Sequence, residues 1–241
     1  MTLITKAQVV DRAMTNANFD THLIKDTFID ISELNHLKPF LGCDLYDTIS
    51  EESNNGVVWS NSTTSSLLQG DVDIAWDDSN DFVDVGDFVF GTGIPDGSQV
   101  VAVLEDSSGV AEAIRISKAP TITNSTASLT FKKPNGVLKE DYIVDYLAFC
   151  VKFEILPDIT YNTTSQGVVD NIADFTSPVN EKKLNYLRQE TYKKSETFKK
   201  KMHLFLDKHS SSYPEWNGCG GCSSCGTGGS SVRKRHGIIT Y

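Results

Sequence analysis

Residues 129–156 read LTFKKPNGVLKEDYIVDYLAFCVKFEIL, and their hydrophobic spacing changes part-way along the stretch. Leu129 and Phe131 alternate with polar residues, which is typical of a half-buried strand. Residues 138–156 are apolar on most faces of a helix, so we expect them to form the most buried helix of the protein. Pro157 is predicted to end that helix. A strand therefore leads almost directly into a core helix at this point of the chain.

The segment before this helix, residues 57–133, has the composition and spacing of an all-β unit. It is rich in Val, Ile, Thr, Ser, Gly and Asp, and Gly or Asp-Ser clusters separate its short alternating runs. The alternating pairs are Val72 and Ile74, Val83 and Val85, Val101 and Val103, Ile114 and Ile116, and Leu129 and Phe131. About six to eight short strands at this spacing predict a small antiparallel β-sandwich or barrel.

Helical patterns lie on both sides of this unit, so the predicted fold class is α+β, with a β-domain inserted into a helical bundle core. Residues 1–56 form the first part of that core and carry one apolar helix face, which Pro39 is expected to end. The residues of that face are Leu23, Ile24, Phe28, Ile31 and Leu34.

Residues 134–208 are predicted to form the second part of the core, which closes with a long C-terminal helix. A narrow apolar stripe along that helix consists of Leu184, Leu187, Thr191, Phe198, Met202 and Phe205. Residues 209–241 form a Gly- and Cys-rich tail, which we interpret as an extended C-terminal arm that docks on a partner.

The chain is acidic overall but basic near its C-terminus. Its 22 Lys and Arg against 32 Asp and Glu give a net charge of −10, which disfavours a general nucleic-acid coat or an anionic-membrane binder. No stretch approaches the roughly 20 apolar residues that cross a bilayer, so no membrane partner is expected. Residues 179–208 carry nine bases and four acids, a net charge of +5. Five lysines of this helix are expected to face an acidic protein neighbour rather than DNA phosphates, namely Lys193, Lys194, Lys199, Lys200 and Lys201.

Three cysteines of the tail have a spacing that can bind a soft metal. Cys219, Cys222 and Cys225 are each three residues apart, and His209 or His236 is available as a fourth zinc ligand. The alternative is a flexible loop with free or incidentally oxidised thiols, because all three cysteines lie within a short Gly- and Ser-rich run. The odd cysteine count and the lack of a signal-peptide pattern predict a protein made in a reducing cytoplasm.

Nothing in the sequence indicates catalysis. The five histidines are scattered, and no Ser or Cys has a recognisable nucleophile context. The glycines of residues 91–97 are interpreted as a tight turn between strands, because no helix follows them to bind a phosphate. The protein is therefore expected not to be an enzyme and to need no cofactor, unless the tail holds zinc.

Two stretches resemble proteins of tailed-phage virions. Residues 34–49, LNHLKPFLGCDLYDTI, resemble the early helix-turn-helix of head–tail connector proteins (adaptor or neck-ring proteins) of crAss-like and related Bacteroidetes phages. The shared features are a polar helix, a Pro, then Leu-Gly and a short helix containing Leu-Tyr. Residues 85–100, VGDFVFGTGIPDGSQV, are similar to small β-modules that recur in phage virion proteins.

The connector resemblance implies a non-enzymatic structural protein of the virion, assembled in the host cytoplasm. Its members form a ring, typically a dodecamer, that binds the portal and further neck or tail proteins. DNA passes through the lumen during ejection without sequence-specific binding, and the C-terminal segment reaches into the portal. The matching tail residues here are Arg233, Lys234, Arg235, Ile238, Ile239 and Tyr241. The alternatives are a head-fibre or tail component that binds through the β-domain, and a zinc-stabilised binding module built on Cys219, Cys222, Cys225 and His236.

Overall fold

The structure is a computed structural model that describes residues 2–14, 20–75, 82–105, 111–164, 167–170 and 181–216. It has helices at both ends of the described chain and an antiparallel sheet between them, so the predicted α+β class is confirmed. All six strands of that sheet lie between Ser60 and Lys132. The four-part domain organisation, with boundaries after residues 56, 133 and 208, stays a prediction.

Four helices precede the sheet. They are α1 (Lys6–Ala13), α2 (Asp26–Ser32), α3 (Lys38–Leu41) and α4 (Cys43–Asn54). The start of α1 is fixed by a capping box, in which Thr5 and Gln8 each accept a hydrogen bond from the other's backbone N–H. A 3-10 turn at Thr21–Leu23 precedes α2, and a π-helical turn at Glu33–Leu37 joins α2 to α3.

The helix does not end before Pro39, and that prediction is wrong. The backbone N–H of Lys38 donates to the carbonyl of Glu33, five residues back, so the hydrogen-bond ladder has already shifted when the chain reaches Pro39. Pro39 then lies in the first turn of α3, where its missing N–H costs little. The helix ends instead at Gly42, whose φ of 84° favours glycine.

The apolar face predicted for the first helix is only partly right. Ile24 and Phe28 pack in the helical core, whereas Leu23, Ile31 and Leu34 are exposed. The prediction assumed one regular helix with an apolar core line, but the chain leaves helical geometry before Asp26, and the buried line that follows is Ile29, Ser32 and Glu33. Two of these three residues are polar, so hydrophobic spacing does not reveal the line.

Six strands form one open antiparallel sheet in the order β1-β6-β3-β4-β5-β2. The strands are β1 (Ser60–Leu67), β2 (Asp73–Ala75), β3 (Phe88–Gly91), β4 (Ser98–Glu105), β5 (Ala111–Ile116) and β6 (Asn124–Lys132). Ser65 of β1 donates through its hydroxyl to the backbone oxygen of Ala75 in β2, so the first and last strands of this order approach each other. The predicted strand at Val83 and Val85 is wrong, because a turn occupies that position.

The second helical part begins directly after β6. It contains α5 (Pro134–Leu138), a π-helical turn (Lys139–Ile143), α6 (Val144–Thr160) and α7 (Glu181–Lys208). A short hairpin of β7 (Tyr161–Thr164) and β8 (Gly167–Asp170) follows α6, and a 3-10 turn at Ser210–Ser212 follows α7.

Pro157 lies inside α6 rather than ending it, which corrects that prediction. It lies near the C-terminal end of the helix, so its missing N–H and its ring disturb only the last turns. Packing holds the helix together, because α6 contacts α1, α2 and α7 and buries most of its residues. The prediction that this segment is the most buried helix agrees with the burial of the described residues, among them Val144, Leu147, Val151 and Ile155.

The buried side chains form two hydrophobic clusters, one among the helices and one within the sheet. Phe88 of β3 packs against the C-terminal end of α7, since its ring lies 5.9 Å from Phe205 and 5.1 Å from His209. Gln99 of β4 donates to the Ser212 hydroxyl at 3.0 Å. The sheet is therefore fixed to the C-terminal end of α7.

Candidate docking surfaces

The long helix α7 presents one face to the helical core. Its buried residues are Leu184, Thr191, Ser195, Met202 and Leu206. Beside this line, Phe198 stacks on Phe149 of α6 with ring centroids 5.3 Å apart, and Phe205 stacks on Tyr142 at 4.3 Å. The predicted apolar stripe is confirmed in large part, but Leu187 is 40% exposed and lies outside it.

The five lysines predicted to form one basic face point in three directions. Lys194 and Lys201 lie over the rings of Phe149 and Tyr142, at 5.9 and 5.4 Å from the centroids. Lys199 lies on the opposite flank, 5.6 Å from the ring of Phe40. The remaining two, Lys193 and Lys200, are exposed as Lys194 and Lys201 are, and Lys193 forms an ion pair with Glu190 at 2.7 Å. Lys193 and Lys200 lie one heptad apart, opposite the buried line.

Lys193 and Lys200 share this outward direction with two large apolar side chains. Tyr186 is 61% exposed and Leu204 is 69% exposed. Tyr186, Lys193, Lys200 and Leu204 are spaced seven, seven and four residues apart, so they form a continuous stripe along the helix. We call this stripe the outer face of α7. Exposed large apolar side chains can mark a surface that binds protein, and lysines belong to the polar rim of such a surface.

A groove runs beside the outer face, between α7 and the π-helical turn with α3. One part has a volume of about 340 Å³ and is lined by Phe40, Glu196, Lys199, Lys200, His203 and Leu204. A second part of about 250 Å³ adjoins it at Phe40, Glu196 and Lys199, and continues to Tyr192 and Tyr146. The end of the outer face at Leu204 thus borders an apolar recess with a basic rim.

A second surface lies on α2, and the sequence interpretation missed it. Leu34 is 58% exposed, and Leu23 and Ile31 are also exposed. Asp26 and Asp30 are exposed beside them. Asp26 forms an ion pair with Lys6 at 3.1 Å, and residues 20–32 carry three exposed acids, Asp20, Asp26 and Asp30, and one lysine. We call this surface the acidic face of α2. The acidic residues of this segment do indicate an exposed surface in the sequence, but the predicted apolar helix face placed Ile31 and Leu34 in the core.

The opposite side of the same segment holds a buried carboxylate. Glu33 is 4% exposed, accepts the Leu3 N–H at 2.6 Å, and accepts the Tyr46 hydroxyl at 3.0 Å. Burial raises the pKa of Glu33 above its ordinary value, although both hydrogen bonds act in the opposite direction. Burial and the nearby Glu33 charge also raise the pKa of Tyr46. This network attaches the N-terminal segment to the π-helical turn, so it orients the acidic face of α2.

Charged groups also fix the sheet to the helices. Lys133, just before α5, donates to the Asp87 carboxylate at 3.0 Å and to the backbone oxygen of Phe82 at 2.5 Å. Asp87 is buried, and burial raises its pKa although Lys133 and the Asp84 N–H act in the opposite direction. Tyr213 donates to the Pro134 carbonyl at 2.6 Å from the other side. These contacts position the sheet and have no geometry that suggests chemistry of their own.

The tail residues predicted to dock on the portal, and the predicted metal ligands, lie outside the described residues. They are Arg233, Lys234, Arg235, Ile238, Ile239 and Tyr241, and Cys219, Cys222, Cys225 and His236. His209 is described, and its ring packs against Phe88 and Phe205. Cys150 is buried with a free thiol, and Cys43 is disulfide-bonded.

In the ranges given above, no three His, Cys, Asp or Glu side chains lie close enough together to hold a metal ion. No helix in the described part of the chain is long and apolar enough to cross a membrane.

Comparison with known proteins gives one family match. Residues 116–226 match the model of a family of unknown function, DUF6712. The matched range contains β6 and all the elements from α5 to α7, and therefore the outer face of α7. No curated protein matches the chain, and no solved structure matches it.

Proposed function

We propose that the protein is a non-enzymatic structural protein of a tailed-phage virion, a head–tail connector subunit that forms a ring. In this role it docks on the portal, bridges the portal to further neck or tail proteins, and leaves a passage for DNA ejection. The observation that carries the proposal is the outer face of α7, where Tyr186 and Leu204 are exposed beside lysines on an otherwise acidic chain. Such a surface is stabilised by an acidic protein partner.

The stretch that resembles connector proteins supports this role through its local structure. Residues 34–49 run from the π-helical turn through α3 to Gly42 and then into α4. That is a helix, a sharp turn and a short helix, in the order that the resemblance implies. Leu41, Leu45 and Ile49 of this stretch are buried in the helical core.

The arrangement of the helices, the sheet and the C-terminal arm in the ring is part of the same proposal. We picture a helical bundle core, with the sheet curled into a small sandwich- or barrel-like domain that projects outward from the ring. Two observations support this picture: the sheet has its own hydrophobic cluster, and Ser65 links its two outer strands. The C-terminal arm would extend from the end of α7 to the portal.

The charge distribution is compatible with a DNA passage. A lumen lined by acidic or neutral surface lets phosphates slide without binding, because few cations are available to replace their counterions. The net charge of −10 supports such a lining, while the +5 of residues 179–208 would face protein neighbours. No sequence-specific contact with DNA is expected.

Native mass spectrometry tests the proposal directly. The full chain is measured alone and mixed with the portal encoded in the same genome, and we expect the subunit to add to the portal in a stoichiometric ring-sized number. Deletion of residues 228–241 removes the predicted docking tip and should abolish attachment while leaving the monomer folded. Attachment that is unchanged after the deletion would refute the role of Arg233, Lys234, Arg235, Ile238, Ile239 and Tyr241.

The same measurement distinguishes the two alternatives. A stable trimer that ignores the portal would favour a head-fibre or tail component that binds through the sheet. A mass excess of one zinc ion that disappears in Cys222→Ser would favour the zinc-stabilised binding module. Either result would replace the connector proposal.

A further inference from the structure

We propose that neighbouring copies of this chain meet through two different surfaces, the outer face of α7 on one copy and the acidic face of α2 on the next. The inference rests on the proposed ring and names the contact that would close it. The binding partner of each surface is a second copy of this chain.

The charges of the two surfaces are complementary. Lys193 and Lys200 project from the outer face of α7, which belongs to a segment of net charge +5. Asp26 and Asp30 project from the acidic face of α2, where residues 20–32 carry three exposed acids and one lysine and where Asp26 also pairs with Lys6. Opposite charges at the rim of an interface favour association and fix its register.

The apolar parts of the two surfaces also match. Tyr186 and Leu204 are the most exposed large apolar residues of α7, and Leu34 is the most exposed on the α2 side. On each surface the exposed apolar side chains lie beside the charged ones. A contact that pairs the lysines with the aspartates therefore also buries apolar surface. The recess of about 340 Å³ between Phe40 and Leu204 lies at the end of the outer face of α7 and offers room for an aliphatic side chain.

A two-fold dimer formed through either face alone would place lysines against lysines or aspartates against aspartates. A contact between unlike faces avoids this repulsion and repeats from copy to copy, which generates a ring when the rotation closes.

Photo-crosslinking tests which surfaces meet. The full chain is made with p-benzoyl-phenylalanine in place of Leu204, illuminated with and without the portal, and its adducts are mapped by mass spectrometry. We expect a crosslink between two copies that maps to residues 20–34. The same photo-reactive residue in place of Val101, which is exposed on β4, is the control and should give no crosslink there. Adducts of the Leu204 variant that map elsewhere would overturn the inference.

Charge reversal and mixing provide an independent test. Lys193→Glu with Lys200→Glu makes both faces acidic, and Asp26→Lys with Asp30→Lys makes both faces basic. Each variant alone should associate at least about tenfold more weakly than the unaltered chain. An equimolar mixture should recover association, because the reversed α7 of one chain then meets the reversed α2 of the other.

A matched control uses the same helix and the same charge change in another direction. Lys194→Glu with Lys201→Glu alters the lysines that lie over Phe149 and Tyr142, and it should not weaken association to the same degree. Circular dichroism of every variant verifies that the helices remain. Equal losses in the control and the Lys193, Lys200 variant, or a mixture that fails to recover, would overturn the inference.

The measurements separate this inference from the proposed function. Rings on the portal that survive both charge reversals would refute the α7–α2 contact and leave the connector role standing. A crosslink from Leu204 to residues 20–34 in a chain that never joins the portal would refute the connector role and support the contact. Absence of both the ring and the crosslink would refute both.

Discussion

Replacement of Glu33 by alanine should destabilise the helical core more than any exposed substitution nearby. The carboxylate is 4% exposed and accepts two hydrogen bonds, from the Leu3 N–H at 2.6 Å and from the Tyr46 hydroxyl at 3.0 Å. The alanine variant leaves both donors buried without a partner, at about 1–3 kcal/mol each. Removal of the buried carboxylate charge offsets part of this loss in the free energy of unfolding.

We therefore expect Glu33→Ala to lower the free energy of unfolding by about 2–4 kcal/mol. For a chain of this length each kcal/mol corresponds to roughly 2–4 °C in Tm, so the midpoint should fall by about 4–16 °C. Urea unfolding followed by far-UV circular dichroism measures the free energy. Hydrogen exchange at the Leu3 amide gives a local readout, since that N–H loses its acceptor.

Glu33→Gln is the matched control because it keeps an acceptor for Leu3. Its amide group donates to the Tyr46 oxygen in place of the original bond, so the network survives without a charge. At neutral pH we expect this variant to be at least as stable as the unaltered chain. A glutamine variant as unstable as the alanine variant would refute the reasoning, because the loss would then come from the missing charge rather than from the missing acceptor.

The pH dependence follows from the raised pKa of Glu33. In the folded chain the carboxyl keeps its proton at pH values where the unfolded chain, with the ordinary pKa of 4.5, has lost it. Its stabilising contribution is thus fully present below pH 4.5 and is lost as pH rises through the folded pKa. The stability of Glu33→Gln relative to the unaltered chain should increase over this window. A difference between the two that stays constant from acid to neutral pH would contradict the assignment.

Two further substitutions test the junction between the sheet and the helices. Gly136→Ala should lower the free energy of unfolding by about 1–3 kcal/mol, because an added Cβ would lie 2.5 Å from the Cβ of Trp59. Thermal unfolding measures this loss. An unchanged midpoint would contradict the close contact with Trp59. Tyr213→Phe removes the hydroxyl that donates to the Pro134 carbonyl at 2.6 Å, and it should cost about 1–2 kcal/mol in urea unfolding. A cost no larger than that of an exposed Tyr186→Phe control would contradict the buried hydrogen bond.

The sequence predicted best where the periodicity was strong and unbroken. The buried helix that starts near Leu138, the strands at Ile114 and Leu129, and the core stripe of α7 all lie where the spacing placed them. The core stripe of α7 repeats with one period, so a single exposed exception such as Leu187 does not hide it, and the segment from Leu138 is apolar on most faces, so its burial does not depend on the register.

Prediction failed where the backbone departed from regular geometry. A π-helical turn leaves no clear mark in composition, and the one at Glu33–Leu37 carried the helix past Pro39. Strand β1 was missed because its residues, SNSTTSSL, are almost all polar. It pairs with β6 from Ser60 opposite Lys132 to Leu67 opposite Asn124, and such tertiary pairing is not visible in a local pattern.

The two proposed docking surfaces belong to one rigid unit, and this bears on how a ring would form. Ile29 and Leu37 from the α2 side share a hydrophobic cluster with Met202 and Leu206 of α7, so the core fixes the angle between the two surfaces. The sheet is attached outside that cluster, through Phe88 and Lys133. If the α7–α2 contact closes the ring, the angle per subunit is set by the helices alone. Changes in the sheet should then alter what the ring binds on its outside without altering the number of its subunits.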